Sequence, residues 1–190
     1  MLLYILVILL ANVLIILGNL LWTGTWGSWL PACGYSVLAT VCVICVDGLT
    51  AFLVRRLPEK WFQPGLSLYE VSQGERKFYR CLGVKKWKDK VPELGLFTGF
   101  HKSHLTAPKD ASYLGRFLLE SNYGVVIHWV NALFGFLIMA IPVLGGISYT
   151  LPVAWVNFVL SLMPAVILRY NTPGLLRLYK RAQGEGKIYQ

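Results

Sequence analysis

Four apolar stretches, each about twenty residues long, constrain this chain more than any other feature of its sequence. A helix needs about 20 apolar residues to cross the roughly 30 Å hydrocarbon core of a bilayer. The chain is also 56% hydrophobic and only 14% charged, whereas soluble domains carry about 25% charged residues. The sequence therefore predicts an all-α integral membrane protein, a single membrane domain over residues 1–190, with transmembrane helices at residues 2–22, 35–54, 123–145 and 147–168.

The positive charges lie on one side of these spans only. All 18 Lys and Arg residues fall in two segments, thirteen in the loop over residues 55–121 and five in the tail over residues 169–190. Loops rich in Lys and Arg remain on the cytoplasmic side of a membrane. We therefore expect a multi-pass protein of the plasma membrane with both termini and the long loop in the cytoplasm.

The long basic loop contains a segment with the pattern of an interfacial helix. In ERKFYRCLGVKKWKDK, residues 75–90, basic residues alternate with large apolar ones, as in amphipathic helices that lie on a membrane. The net charge of +9 favours contact with the anionic lipids of the inner leaflet, and it also suits an anionic cytosolic substrate. Nucleic acid is not an expected partner, because the sequence resembles no base-reading module.

The third span carries polar residues at helical spacing. Glu120, Gly124, His128, Asn131 and Gly135 follow one another at steps of four, four, three and four, which places them on one face of a helix. An ionisable side chain inside a membrane is costly, so a functional role is the first hypothesis for His128. The alternative is that it only holds two helices together.

An aspartate on the second span is expected at the depth of that histidine. Asp47 lies eight residues before the Arg55–Arg56 pair, and His128 lies eight residues after Glu120. Each side chain is therefore about 12 Å from the inner interface. Asp47 within hydrogen-bond reach of His128 would orient and stabilise the imidazole. A structural hydrogen bond between two helices explains the aspartate equally well.

The fourth span ends in ILRYNTPGLLRL, residues 167–178. Arg169 and Asn171 are expected at the inner interface. There Arg169 either anchors the helix or binds a phosphate or carboxylate through paired hydrogen bonds. Pro173 lacks a backbone N–H and Gly174 follows it, so we expect the regular helix to end at this point.

Several catalytic motifs are absent from the sequence. It contains no GxSxG, no Walker loop and no HExxH. His101 and His104 lie three residues apart, but no third ligand of suitable type lies near them, so the sequence predicts no metal site.

Four segments in a fixed order resemble the glycosyl diaponeurosporenoate acyltransferases of staphyloxanthin-type carotenoid biosynthesis. They are KKWKDKVPE at residues 85–93, HKSHL at residues 101–105, a glutamate eight residues before HW, and RYNTP at residues 169–173. The resemblance implies a small integral membrane enzyme that moves a fatty acyl group onto a sugar hydroxyl of a glycosylated carotenoid. Carried over residue by residue, it indicates Trp87, Glu120, His128, Trp129, Arg169, Tyr170, Asn171 and Pro173.

The chain departs from the pattern of that family at four positions. Tyr123 and Val125 stand where the family usually has an arginine and a second glutamate. Thr172 and Gly174 stand where its C-terminal motif usually has arginines. All four fall in the expected site, so they bear on the identity of the acceptor.

The expected reaction is direct acyl transfer from a thioester without a covalent enzyme intermediate. His128 takes the proton of the acceptor hydroxyl, a step that typically contributes about 10²- to 10⁴-fold. Either Asp47 or Glu120 orients the ring. Either Asn131 or Asn171 stabilises the developing oxyanion.

The expected donor is acyl-CoA, a co-substrate, with no further cofactor. Its phosphates would contact Arg169, Lys86 and Lys88, and the resemblance adds Trp87 as a substrate-binding residue. The acceptor would be a glycosylated carotenoid, a related glycolipid or another membrane lipid. Two alternatives remain at this point, a membrane acyl- or methyltransferase for a different lipid and a non-enzymatic membrane protein that is a subunit of a complex.

Cysteine labelling tests the expected topology. In a variant without the four native cysteines, Ser28→Cys should react with a membrane-impermeant reagent in intact cells, because it precedes the second span on the outer side. Ser103→Cys in the long basic loop should react only after the cells are opened. Labelling of Ser103→Cys from outside intact cells would contradict the topology.

Overall fold

The computed structural model describes residues 2–91 and 105–186, with side chains for residues 4–91 and 105–184. His101, Ser103 and His104 lie outside the described residues. Within these ranges the chain forms α-helices, short 3-10 helices and loops, without a β-strand. The α-helices are α1 (Leu2–Thr23), α2 (Trp29–Val54), α3 (Gln73–Cys81), α4 (Val84–Trp87), α5 (Ala111–Phe134) and α6 (Ile147–Gly186).

In the described ranges, four helical segments are long and apolar enough to cross a membrane. They are Tyr4–Thr23, Trp26–Val54, Ala111–Ala140 and Ile147–Gly184. The predicted fold class is confirmed, and these helices are compatible with a multi-pass membrane protein.

Helix α5 begins at Ala111, well before the apolar stretch at residues 123–145 that marks the third span. Its first turn is capped by Asp110, whose carboxylate accepts hydrogen bonds from the backbone N–H groups of Ser112 (2.8 Å) and Tyr113 (3.3 Å). Such a side chain satisfies donors that the first helical turn leaves without an intrahelical partner. As a result, Glu120 lies inside the helix and not before it.

Helix α6 does not end at Pro173 and Gly174, and the expectation that it would is wrong. The helix continues to Gly186. Pro173 removes one backbone hydrogen bond, but the hydroxyl of Thr172 donates to the Leu168 carbonyl at 2.9 Å within the same turn. Beyond the proline, Leu175 is buried with residues of α5. Burial of apolar side chains favours the helix over the local preference of Pro and Gly.

The chain divides into two compact units that both draw on α5 and α6. The first unit comprises Met1–Leu53 and Ile127–Leu162, and the second comprises Val54–Val126 and Met163–Gln190. The apolar core of the first unit includes Ala39, Val43, Ile138, Leu144, Val153 and Ala154, which come from α2, α6 and the segment between α5 and α6.

The connection from α5 to α6 runs from the end of α5 at Phe134 to the start of α6 at Ile147. It consists of 3-10 helices at Gly135–Ala140 and Pro142–Leu144, followed by two glycines with positive φ. Gly145 has φ +78°, and a Cβ there would lie 2.5 Å from the ring of Tyr35. Both the backbone conformation and the lack of space require glycine at this position.

The second unit contains the predicted interfacial helix, which is divided into two parts. Helix α3 begins after Ser72, whose hydroxyl accepts from the Glu75 N–H at 3.1 Å. It ends before Gly83, which adopts the left-handed conformation (φ +61°), and α4 follows. Tyr79 and Val84 are buried with Val71, so this segment is packed against protein on one face.

Candidate active site

A chain of polar side chains crosses the interior of the first unit. The amide of Asn157 donates to the Asp47 carboxylate and to the Asn131 carbonyl, each at 3.2 Å. The side-chain carbonyl of Asn131 in turn accepts a hydrogen bond from the hydroxyl of Thr50. Residues of α2, α5 and α6 are therefore joined by hydrogen bonds among apolar surroundings, where unsatisfied polar groups are costly.

Two of the predicted site residues, Asp47 and Asn131, meet in this network through Asn157. His128 lies one helical turn before Asn131 on α5 and is partly buried. It belongs to the same unit as Asp47. The described partner of the Asp47 carboxylate is Asn157, and direct contact between Asp47 and His128 stays a prediction.

Asn157 is a member of this network that the sequence reasoning did not identify. It is an amide in the middle of the fourth span, and the rule that singled out His128 and Asn131 applies to it equally. Its position depends on Gly135, because a Cβ at Gly135 would lie 2.5 Å from the Asn157 amide nitrogen. The lack of a side chain at Gly135 thus leaves room for a polar side chain of α6.

Glu120 is held in the second unit by an arginine. Its carboxylate lies 3.1 Å from the Arg55 guanidinium, with 19% of the Glu120 side chain exposed. The same guanidinium lies over the ring of Tyr123, and that ring stacks on Phe62 at 3.8 Å between centroids. Tyr123 is one of the departures from the family pattern, and here it is a buried packing residue.

Arg169 is fixed by a carboxylate and two backbone carbonyls. Its Nε and one terminal nitrogen donate to the two oxygens of Glu75 at 2.8 and 2.7 Å, which is a bidentate pair. Its terminal nitrogens also donate to the carbonyls of Leu68 (3.0 Å) and Glu70 (3.3 Å). These contacts attach α3 and the segment before it to α6. A phosphate-binding role for Arg169 stays a prediction.

The carboxylate of Glu75 is ionised because of its partners. Burial alone would raise the pKa of Glu75, but hydrogen bonds from Arg169 and Tyr79, together with the charge of Arg169, hold that pKa below its ordinary value. Burial and the neighbouring Glu75 carboxylate raise the pKa of Tyr79 to about 12. Tyr79 therefore keeps its proton at neutral pH, and its hydroxyl donates a hydrogen bond to the Glu75 carboxylate.

A basic cleft of about 610 Å³ lies beside this ion pair. Its walls come from α3 and from the RYNTP segment of α6, with Tyr170, Asn171 and Pro173 among the lining residues. Four cations line it, Arg76, Lys77, Arg80 and Arg177. All four are exposed, and in the part of the chain that the structure describes none of them forms an ion pair.

These four cations were missed by the sequence reasoning, although all four are visible in the sequence. Arg76, Lys77 and Arg80 follow a helical spacing on α3, and Arg177 is one residue beyond two turns of α6 from Arg169. What the sequence does not reveal is which side of α3 packs on α6. Among the residues that the resemblance indicates, Tyr170, Asn171 and Pro173 line this cleft.

The lining of the cleft does not include Lys86 and Trp87 of α4, or Lys88, which follows α4. The indole N–H of Trp87 donates to the Leu82 carbonyl at 3.1 Å, and its ring packs on the cluster around Tyr79. Lys88 pairs with Asp89 at 2.6 Å. Lys86 is exposed on α4. Their contacts with a substrate stay predictions.

Among the described residues, four helices are long and apolar enough to cross a membrane, which is compatible with a multi-pass membrane protein. A family model for glycosyl-4,4'-diaponeurosporenoate acyltransferase matches residues 58–181, more than half of the 190 residues. The chain therefore belongs to this family and is an acyltransferase of carotenoid biosynthesis. No curated protein and no solved structure matches it.

The matched region contains Glu120, His128, Arg169 and Asn171, and it also contains the four cations of the cleft. Asp47 lies before it. The family name implies an acyl donor and a glycosylated carotenoid acceptor for this enzyme.

The pH dependence of stability tests the Glu75 contacts. Because the pKa of Glu75 is lowered on folding, its contribution to stability is present above its unfolded pKa of about 4.3 and is lost as the pH falls through the folded pKa. Tyr79→Phe removes one hydrogen bond to the carboxylate. The acid-side loss of thermal stability in detergent should therefore be smaller and should be complete at a higher pH.

Tyr69→Phe is the matched control for this experiment. The Tyr69 hydroxyl donates to the backbone carbonyl of Trp61 at 2.9 Å, so this variant should keep the acid-side profile of the unmodified protein. An acid-side profile that is identical in the Tyr79→Phe variant would contradict the role of the hydrogen bond in lowering the Glu75 pKa.

Proposed function

We propose that this enzyme transfers a fatty acyl group from acyl-CoA to a sugar hydroxyl of a glycosylated carotenoid or a related glycolipid. The observation that carries the choice of donor is the basic cleft between α3 and the RYNTP segment. Coenzyme A is a polyanion, and cations without carboxylate partners are the groups that bind phosphates through charge-assisted hydrogen bonds. The cleft presents four of them, Arg76, Lys77, Arg80 and Arg177.

The side chains proposed to contact the phosphates differ from those expected from the sequence, because Arg169 is no longer among them. Arg169 is mostly shielded, with 15% of its side chain exposed, and its charge is balanced by Glu75. We therefore assign it to positioning, because it holds α3 and α6 together at the cleft. The exposed cations of α3 and Arg177 take the phosphate role, and Lys86 of α4 supplements them. Lys88, which follows α4, is already paired with Asp89 and is a weaker candidate.

The chemical step requires a base and an oxyanion donor. We propose that His128 accepts the proton of the attacking hydroxyl, the ester C–O bond forms, and the thioester C–S bond breaks. The proton then passes to the departing thiolate, which leaves as coenzyme A. Either Asn171, which lines the cleft, or Asn131 donates to the oxyanion that develops on the thioester carbonyl.

Asp47 and Glu120 both remain candidates for the group that orients the imidazole. Asp47 accepts from Asn157 within the polar network, and a carboxylate has further lone pairs for a second donor. Glu120 is already paired with Arg55. We favour Asp47 for this reason.

The same donor fits the proposed orientation in the membrane. Acyl-CoA is a cytosolic compound, and the cations of the cleft come from the long loop and the tail, which hold all Lys and Arg residues of the chain. We propose that both faces of the cleft are cytoplasmic, that the protein lies in the plasma membrane, and that anionic inner-leaflet lipids contact the remaining basic residues.

Neutralising one cation of the cleft should weaken donor binding. Arg80→Gln removes a charge-assisted hydrogen bond, and the Kd for palmitoyl-CoA should rise about tenfold. The salt dependence of binding should also become shallower, because one screened attraction is lost. Lys60→Gln is the matched control, since Lys60 is an exposed cation of the same loop that does not line the cleft. Equal Kd values for both variants would contradict the proposed phosphate site.

Two substitutions of His128 separate proton transfer from helix packing. His128→Ala should leave the protein folded and lower the rate of transfer by about two orders of magnitude or more. His128→Gln retains hydrogen-bonding capacity but cannot act as a general base, so its rate should be equally low. Palmitoyl-CoA binding should persist in both variants. An active His128→Gln enzyme would show that the histidine has a structural role.

A further inference from the structure

A second cavity, mainly apolar, adjoins the basic cleft. Its volume is about 220 Å³, and its walls include Phe117 and Ser121 of α5 and Leu168, Leu175 and Leu178 of α6. With the exception of Ser121, these side chains are hydrocarbon. Such a lining binds apolar groups by removing them from water and offers few partners to a polar ligand.

Two residues line both the cavity and the cleft. Asn171 and Gly174 appear in the walls of each. They are three residues apart on α6, so they lie on one face of that helix. A ligand that occupies both spaces must therefore pass these two residues.

Gly174 leaves open space at this junction. A Cβ added at Gly174 would meet no atom within 4 Å. A side chain at this position can therefore extend into the space that the two cavities share without forcing the backbone to move. The absence of a side chain keeps the passage between the polar and the apolar compartments open.

We propose that the apolar cavity binds the fatty acyl chain of the donor, and that Gly174 keeps the entrance of this cavity open to the chain. This inference rests on the proposed use of acyl-CoA, whose phosphates occupy the basic cleft. An acyl thioester is anionic at one end and hydrocarbon at the other, which matches the two compartments in order. The thioester carbonyl then lies near Asn171, the residue with an amide donor at the junction.

A preference for donors of a given chain length follows from the free energy of burying methylene groups. Each methylene group buried in an apolar cavity strengthens binding about fourfold. A side chain at the entrance keeps the acyl chain out of the cavity and removes this gain for every methylene that would be buried there. A long chain has more such methylenes than a short chain, so it loses more of its binding.

The test is a competition between palmitoyl-CoA and octanoyl-CoA for transfer, measured as the ratio of their kcat/KM values. Gly174→Leu should lower the ratio of long to short donor about tenfold or more. Leu178→Ala, which removes hydrocarbon from the cavity wall, should shift the ratio in the opposite direction. The ratio is internal to each preparation, so partial loss of folded protein does not change it.

Gly184→Leu is the matched control. Gly184 lies on the same helix, a Cβ there also meets nothing within 4 Å, and it lines neither cavity. Its chain-length ratio should equal that of the unmodified enzyme. Binding of coenzyme A without an acyl chain should be unchanged in both glycine variants.

The outcomes distinguish this inference from the proposed function. An unchanged ratio in both Gly174→Leu and Leu178→Ala, with acyl-CoA still bound and used, would overturn the acyl-chain site alone. An equal loss for both donors and for free coenzyme A in Gly174→Leu would mean that this position faces only the cleft, and it would also overturn the inference. Failure of the unmodified enzyme to bind any coenzyme A derivative would overturn the donor assignment, and the inference with it.

Discussion

The second unit depends on the ion pair between Glu75 and Arg169. It is the contact that joins the short amphipathic helix α3 to the long helix α6, and it is supported by the carbonyls of Leu68 and Glu70 and by the hydroxyl of Tyr79. A bidentate arginine–carboxylate pair fixes direction as well as distance. Without it, α3 would depend on apolar contacts such as that of Tyr79 with Tyr170 of α6, because an isolated nine-residue helix is marginal in water.

In the first unit, amide and hydroxyl groups satisfy the hydrogen bonds of polar side chains that lie in apolar helices. Its polar side chains lie in helices that are apolar enough to cross a membrane, where each unpaired donor or acceptor is costly. Asn157 is effective there because one amide group satisfies two acceptors on two other helices, Asp47 and Asn131. The network also restricts the carboxylate to one orientation, which any role for Asp47 in orienting a base requires.

The sequence is sufficient to predict the fold class, because the lengths of the four apolar stretches and the positions of the charged residues can be read from it directly. Helix ends were less predictable. Pro173 has a strong local preference that burial of Leu175 outweighs, and Asp110 caps α5 ahead of the apolar stretch. Side-chain partners were not predictable at all: Arg169 finds Glu75 across 94 residues and Asp47 finds Asn157 across 110. Such pairs depend on how helices pack, which a pattern within one helix does not contain.

In the second unit, the cations that are paired with a carboxylate differ in role from those that are not. Arg169 is shielded and neutralised by Glu75, and a pair of this kind tolerates apolar surroundings because the two charges cancel. Arg76, Lys77 and Arg80 have no such partner among the described residues and are exposed, so they keep their hydration and their positive field. An anion gains more from the second group than from the first, since it displaces water and not an existing carboxylate. The charge of Arg169 on α6 thus serves to hold α3 in place, and it is the exposed cations of α3 that we propose as the anion-binding groups.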